Sequence, residues 1–91
     1  MIDEDVRVRV AANVFAREFD GELVIVDLEK GDYFGLDAVG ARAWQGLSAG
    51  RSPREIAAEM VSEFDVEPQR LVADLVTLTR ELAERRLVEE T

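Results

Sequence analysis

The side chains that could do chemistry in this chain of 91 residues are almost all carboxylates. The sequence contains 20 Asp and Glu, 11 Lys and Arg, no histidine and no cysteine. Without His or Cys, the chain lacks Ser-His and Cys-His catalysis, disulfides and the usual zinc sites. The acidic runs at residues 3–5 and 89–90 have neither the spacing of an acid/base pair nor that of a calcium loop. We therefore expect no catalytic residues, no metal site, no cofactor and no enzymatic activity.

Charge and hydropathy narrow the range of partners. The formal net charge of −9 argues against nucleic acid and against anionic membrane surfaces, which both attract basic proteins. The longest apolar run, residues 23–26, is far too short to cross a bilayer, and the acidic residues 1–5 do not resemble a signal peptide. We expect one cytoplasmic domain over residues 1–91, with residues 1–5 as a disordered acidic tail.

A different kind of site would use backbone groups, and the run Asp32–Leu36 is the candidate. Binding by strand addition needs an exposed sheet edge with free N–H and C=O groups. The run contains no proline, and Gly35 could let an incoming backbone approach closely. Tyr33 and Phe34 point to opposite faces, so that one can anchor the core while the other shapes a pocket. On these residues alone, ordinary aromatics in a protected edge strand are the favoured interpretation.

The first part of the chain has the period of β-strands. Apolar alternation predicts strands over residues 14–19 and 22–28, joined by the Asp20-Gly21 pair that favours a type I′ hairpin. The second run is apolar on both faces and is therefore expected to be the central strand. Residues 32–36 form a third strand, at an edge unless the alternating segment at residues 6–10 covers it.

The rest of the chain has the period of α-helices. A first helix is expected after Asp37, a plausible N-cap, and a second at the capping box Ser52–Glu55. A third helix begins near Pro68 and runs to about Arg86, and residues 87–89 form either a short strand or a frayed end. The expected fold is α+β and winged-helix-like, with a three-stranded antiparallel sheet followed by three helices.

The third helix offers a possible groove beside the third strand. Its apolar stripe consists of Leu71, Leu75, Leu78 and Leu82. Such a stripe is more often core than ligand groove, but Val72 and Val76 widen it, and a small domain leaves part of a wide stripe uncovered. Arg70 and Asp74 flank the stripe and could pair with polar groups of a ligand, or form a solvated i,i+4 pair.

An ordered set of motifs resembles the PqqD-like family. It consists of Gly31-Asp32-Tyr33-Phe34-Gly35-Leu36-Asp37, then Gly40, Trp44 and Leu47, then the turn Gly50-Arg51-Ser52 with Glu55-Ile56, then Phe64-Asp65-Val66, then the helix pattern Val72, Asp74-Leu75, Leu78 and Leu82, and finally Arg86-Leu87-Val88. The similarity extends from about Val14 to Val88. Asp37 stands where the family usually has asparagine, and both residue types cap helices.

The resemblance implies a RiPP recognition element, a domain that binds the leader region of a ribosomally made precursor peptide. A free-standing chain of this size most resembles the leader-binding proteins of lasso-peptide pathways, which work with a separate leader peptidase. Related chaperones serve radical-SAM enzymes. In this family the leader adds a strand antiparallel to the third strand, in the groove beside the third helix. The implied peptide-binding residues are Asp32, Tyr33, Phe34, Gly35, Leu36, Arg70, Leu71, Asp74, Leu75 and Leu78.

Two alternative functions remain, one suggested by the winged-helix-like fold and one by the groove. A winged-helix DNA-binding regulator would carry a basic stripe on its recognition helix. Here the charges from Glu67 to Arg86 sum to zero, which disfavours that function. A docking module for another peptide or protein would use the same groove chemistry, and only the ligand distinguishes it from a leader-binding domain.

Overall fold

The computed structural model describes residues 1–91 and contains two antiparallel sheets and three helices. In chain order the elements are β1 (Val8–Val10), β2 (Val14–Phe19), β3 (Glu22–Asp27), β4 (Asp32–Leu36), α1 (Ala38–Ser48), α2 (Pro53–Met60), α3 (Pro68–Glu84) and β5 (Val88–Glu90). The expected α+β fold, with a three-stranded antiparallel sheet followed by three helices, is confirmed. No helix combines the length and the apolar character needed to span a membrane.

The larger sheet has the order β2-β3-β4, so the prediction of a central second strand is confirmed. Asp20 and Gly21 connect β2 to β3, and their φ angles of 53° and 78° are those that a type I′ hairpin turn requires. This turn sets Phe19 opposite Glu22 and thereby fixes the register along the whole pair. Because side chains alternate across a strand, Leu23 and Ile25 then point together into the core.

The smaller sheet pairs the two ends of the described chain. β1 lies antiparallel to β5, with Val8 opposite Glu90 and Val10 opposite Val88. The two segments that the sequence left open, residues 6–10 and residues 87–89, therefore each contribute a strand. Because β1 pairs with β5 alone, it does not cover β4.

Residues 1–5, expected as a disordered acidic tail, lie against α2 in the structure. The Arg54 side chain contacts the carboxylates of Glu4 and Asp5, and the Arg54 backbone N–H donates to the Glu4 carbonyl at 2.9 Å. Ile2 packs against the core from the same segment.

The expected caps set the beginnings of α1 and α2. Asp37 accepts a hydrogen bond from the backbone N–H of Gly40 at 2.9 Å, as an N-cap does. Ser52 and Glu55 form the reciprocal capping box at the start of α2. The helix α1 packs against β1, β3 and β4, and α2 packs against α1 and α3.

The helix α3 buries a slightly different stripe from the expected one. Leu71, Leu75 and Leu82 are buried as expected, while Leu78 is only half-buried. Thr79 takes the fully buried position, and its hydroxyl donates to the Leu75 carbonyl at 2.7 Å. That bond satisfies the hydroxyl, so a polar side chain can lie in the core without an unpaired group.

Candidate functional site

The outer edge of β4 is unpaired. β4 is the last strand of the larger sheet and pairs only with β3, from Asp32 opposite Asp27 to Leu36 opposite Leu23. None of the backbone hydrogen bonds outside the regular elements involves Tyr33 or Gly35. The strand therefore presents a row of backbone groups to solvent, which is what the addition of another strand requires.

The register identifies the residues whose backbone groups face outward. The N–H of Leu28 donates to the Asn13 carbonyl at 2.9 Å, one pair beyond the end of β2. Antiparallel pairs alternate between bonded and non-bonded, so the even-numbered residues of β3 bond to β2 and the odd-numbered ones to β4. The backbone N–H and C=O groups of Asp32, Phe34 and Leu36 in β4 therefore point toward β3. Tyr33 and Gly35 direct their N–H and C=O groups to the free edge.

A groove separates the end of β4 from α3. Its volume is about 590 Å³, and it lies on the helix-covered side of the sheet. It is lined by residues of β4, α1, α3 and the segment before α3, namely Leu36, Asp37, Val39, Gly40, Ala43, Asp65, Val66, Glu67, Arg70, Leu71, Asp74, Leu75 and Leu78. An apolar groove beside an open strand can receive the alternate side chains of an added strand.

Gly40 determines how closely α1 approaches β4 at this groove. A Cβ atom at residue 40 would lie 3.0 Å from the Cβ and from the Cδ2 of Leu36. A larger residue would require the Leu36 side chain or α1 to shift, so glycine permits the close packing. Gly40 and Asp37 thus form the corner that holds Leu36 at the end of the groove.

Six of the ten residues proposed from the sequence meet at this groove. They are Leu36, Arg70, Leu71, Asp74, Leu75 and Leu78. Asp32, Tyr33 and Phe34 instead border a second cavity of about 130 Å³ at the other end of β4, together with Lys30 and Arg85. Gly35 borders neither cavity, and its contribution is the outward-facing backbone.

The two aromatic residues of β4 lie on opposite faces, as the sequence predicts. Phe34 is half-buried on the core-facing side opposite Ile25, and the Arg85 guanidinium carbon lies 4.6 Å from the centre of its ring. Tyr33 is exposed on the other face. Phe34 therefore belongs to the side of the sheet that faces α3, whereas the Tyr33 side chain lies outside the groove.

The turn between β3 and β4 is held by a carboxylate. Asp27 accepts hydrogen bonds from the Asn13 side chain at 2.7 Å and from the backbone N–H groups of Glu29 and Lys30 at 2.9 and 3.2 Å. Burial alone would raise the pKa of Asp27, but these hydrogen bonds outweigh it and hold the pKa below its usual value. The carboxylate stays charged and fixes the start of β4.

Carboxylates surround the groove. Asp37 and Glu67 lie at its rim, and each caps a helix there. Asp65 and Asp74 add two more carboxylates, and Arg70 is the one cation, its Nε 4.0 Å from Asp74 Oδ2. The rim is therefore acidic around an apolar floor. No group of three or more such side chains lies close enough together to hold a metal ion.

Several groove residues were missed by the reasoning from sequence. The segment before α3 contributes Asp65, Val66 and Glu67, and α1 contributes Val39 and Ala43. Asp65 and Val66 lie within the quoted motif set, so the available signal was the resemblance itself. Their contact with the groove depends on how α3 packs, which no local pattern specifies.

An open strand edge beside an apolar groove, as at β4, is the geometry used by domains that bind extended peptides by strand addition. Comparison with known proteins identifies the family. The family model described as coenzyme PQQ synthesis protein D (PqqD) matches residues 22–88, and the chain belongs to this family. The resemblance inferred from the sequence is confirmed.

Two solved structures share the fold and extend the comparison. TbiB1, in complex with the TbiA(beta) leader peptide, is 37% identical with a TM-score of 0.82, covering 89% of this chain and 94% of that chain. A lasso peptide synthetase B1, complexed with the leader peptide, is 26% identical with a TM-score of 0.84, covering 91% and 98%. No curated protein matches this sequence. Both of these structures are complexes with a leader peptide.

Proposed function

We propose that this chain binds the leader region of a ribosomally made precursor peptide, as a non-catalytic recognition element. The observation that carries the proposal is the unpaired edge of β4 beside the groove at α3. The leader peptides bound to the two relatives support it. The leader adds as a strand antiparallel to β4.

In this complex the backbone of β4 and the groove have separate roles. The N–H and C=O groups of Tyr33 and Gly35 pair with the peptide backbone, which provides affinity independent of sequence. Peptide residues opposite Phe34 and Leu36 point toward α3 because directly opposed side chains lie on the same face. These residues pack on the apolar floor of the groove and provide the specificity. We expect micromolar or tighter binding, about −8 kcal/mol at the micromolar end, because ordering a flexible peptide offsets part of the contact energy.

The bound peptide is presented to a separate maturation enzyme. A leader peptidase is the partner that the resemblance to lasso-pathway proteins implies, and a radical-SAM enzyme is the alternative within the family. The net charge of −9 favours a basic ligand or a basic enzyme. Such charge acts mainly on the association rate, so raising the salt concentration should slow binding more than it speeds dissociation.

The proposal is tested by titrating this protein into a fluorescently labelled leader peptide and recording anisotropy. The leader is that of the precursor in its own pathway, and a scrambled peptide of the same composition serves as control. A labelled DNA duplex is titrated in parallel. Saturable binding of the leader alone supports the proposal. Equal binding of the scrambled peptide, or binding of the duplex without the leader, would overturn it.

A further inference from the structure

The groove beside α3 extends past the end of β4. Beyond Leu36, the last residue of the strand, its lining continues with three carboxylates that precede α1 or α3, namely Asp37, Asp65 and Glu67. We call these three residues the acidic end of the groove. A peptide added antiparallel to β4 runs from this end toward Asp32. The peptide residues that come just before the added strand therefore lie at the acidic end.

The charges of these carboxylates are poorly compensated within the protein. Asp37 and Glu67 cap helices by accepting backbone hydrogen bonds, which leaves their negative charges in place. Asp65 is exposed and takes part in none of the ion pairs of the structure. The one cation of the lining, Arg70, lies beside Asp74, with its Nε 4.0 Å from Oδ2. Four carboxylates thus face one guanidinium, a formal charge of −3 in the groove.

We propose that the acidic end of the groove selects leader peptides that carry Lys or Arg just before the added strand, a specificity that rests on the proposed function. The carboxylates do not converge closely enough to hold a metal ion. A long side chain with its charge at the tip fits such a dispersed set. Its methylene stem packs on the apolar floor, where Val39 and Val66 lie, while its charge stays among the carboxylates of the rim.

The same carboxylates disfavour the wrong peptide. An Asp or Glu of the peptide at the acidic end would bring like charges together, which lowers the affinity for that peptide. The backbone groups of Tyr33 and Gly35, by contrast, pair with any peptide sequence. Charge at the acidic end therefore distinguishes between peptides that strand addition alone would bind equally well.

The size of the effect follows from the exposure of the carboxylates. Asp37 and Asp65 are both exposed, and one exposed ion pair changes an equilibrium constant by up to about fivefold. Removing both charges should therefore weaken the binding of a basic leader about tenfold at low salt. Salt at 1 M shortens the reach of exposed charges to about 3 Å, so the loss should shrink to about twofold there.

The test compares charge changes in the peptide with charge changes in the protein by isothermal titration calorimetry. The probe is the leader peptide of the precursor in the same pathway, with each of its Lys and Arg residues replaced in turn by Gln. The protein variant is Asp37→Asn with Asp65→Asn, since asparagine caps a helix as well as aspartate does. If this double variant fails to fold, the single variant Asp65→Asn replaces it.

The matched control is Glu18→Gln with Glu84→Gln. It changes the net charge by the same amount, and both residues are exposed and lie outside the groove. A third variant, Arg70→Gln, removes the one cation that competes with a basic peptide side chain for the carboxylates. Circular dichroism verifies the fold of each variant.

Replacing one basic residue that precedes the paired segment of the leader should weaken binding about tenfold with the wild type and the control. With the double variant the loss should be less than twofold, because both changes remove the same interaction. Arg70→Gln should instead strengthen binding of the unmodified leader about threefold.

Three results would overturn the inference. They are equal losses with the wild type and the double variant at every peptide position, weaker binding by Arg70→Gln, and a leader that binds without Lys or Arg before its paired segment. Failure of the wild type to bind the unmodified leader would instead overturn the proposed function.

Discussion

Replacing Gly35 with proline should abolish peptide binding while leaving the fold intact. The N–H of Gly35 faces the free edge and takes no part in pairing with β3. Proline removes this donor and places its ring where the added strand would lie. Edge strands tolerate proline on their solvent side, and the residue before proline prefers the extended conformation that Phe34 already has in β4. The helices and the core should therefore be unaffected.

The magnitude follows from the single donor that is lost. A peptide carbonyl left without its partner in the complex costs about 1–3 kcal/mol, and the ring adds a steric cost. A loss of about 3 kcal/mol corresponds to a factor of roughly 150 in Kd. Micromolar binding by the wild type would become too weak to saturate at accessible peptide concentrations.

The matched control is Gly35→Ala. Gly35 does not have a positive φ, and an added Cβ would point to the side of the sheet away from the helices, with no atom within 4 Å. Alanine keeps the outward N–H, so affinity should stay within about threefold of wild type, a difference of under about 0.7 kcal/mol. The assay is isothermal titration calorimetry with the leader peptide, with circular dichroism to verify the fold. Equal affinities for the proline and alanine variants would refute strand addition at this edge.

Three further predictions concern the groove, the core and the stability of the protein at low pH. Leu78→Ser should lower leader affinity about tenfold, or about 1.4 kcal/mol, because it removes apolar surface from the groove floor. The same calorimetric titration measures this change, and an unchanged Kd would show that Leu78 does not contact the peptide. Gly46→Ala should destabilise the protein by about 1–3 kcal/mol through overpacking, since its Cβ would lie 2.5 Å from Cγ1 of Ile56; thermal unfolding measures this, and an unchanged Tm would contradict it. Hydrogen bonds from Arg7 lower the pKa of Glu55 from its usual 4.5 to about 2. Its stabilising contribution is therefore full above about pH 5 and lost as pH falls toward 2. In the Glu55→Gln variant, the free energy of unfolding measured in urea should change less with pH over that range than in the wild type. An equal pH dependence would show that the Arg7–Glu55 pair contributes nothing.

The local features of the fold could be predicted from the sequence because short-range chemistry fixes them. The Asp20-Gly21 turn sets the first hairpin, and the caps at Asp37 and Ser52 set the beginnings of two helices. These features depend on a few neighbouring residues, whose hydrogen bonds and φ preferences leave few alternatives. The position of β4 at the edge follows from the same strand order.

The non-local features could not be predicted in the same way. Strands of three residues, such as those at Val8–Val10 and Val88–Glu90, carry too little pattern to reveal a partner eighty residues away. The contact of Asp65 and Val66 with the groove depends on the packing of α3. The buried Thr79 needed a backbone acceptor that only the folded helix provides.

The central strand β3 illustrates where hydropathy alone misleads. Its two apolar faces correctly indicate a central position, and they also suggest burial on both sides. The helices of this small domain cover one side only, so Ile25 is fully buried while Val24 and Val26 on the other side are only half-buried. The apolar side chains on the side away from the helices therefore remain accessible to solvent.

Strand addition at β4 is tested most directly by amide hydrogen exchange of β4, measured by NMR with and without saturating leader peptide. In the free protein, Phe34 and Leu36 should already be protected by their pairing with β3, while Tyr33 and Gly35 exchange rapidly. With the peptide bound, Tyr33 and Gly35 should become protected because carbonyl groups of the new strand accept hydrogen bonds from their N–H groups. If these two amides exchange as fast with saturating peptide as in the free protein, the peptide binds elsewhere and strand addition at β4 is wrong.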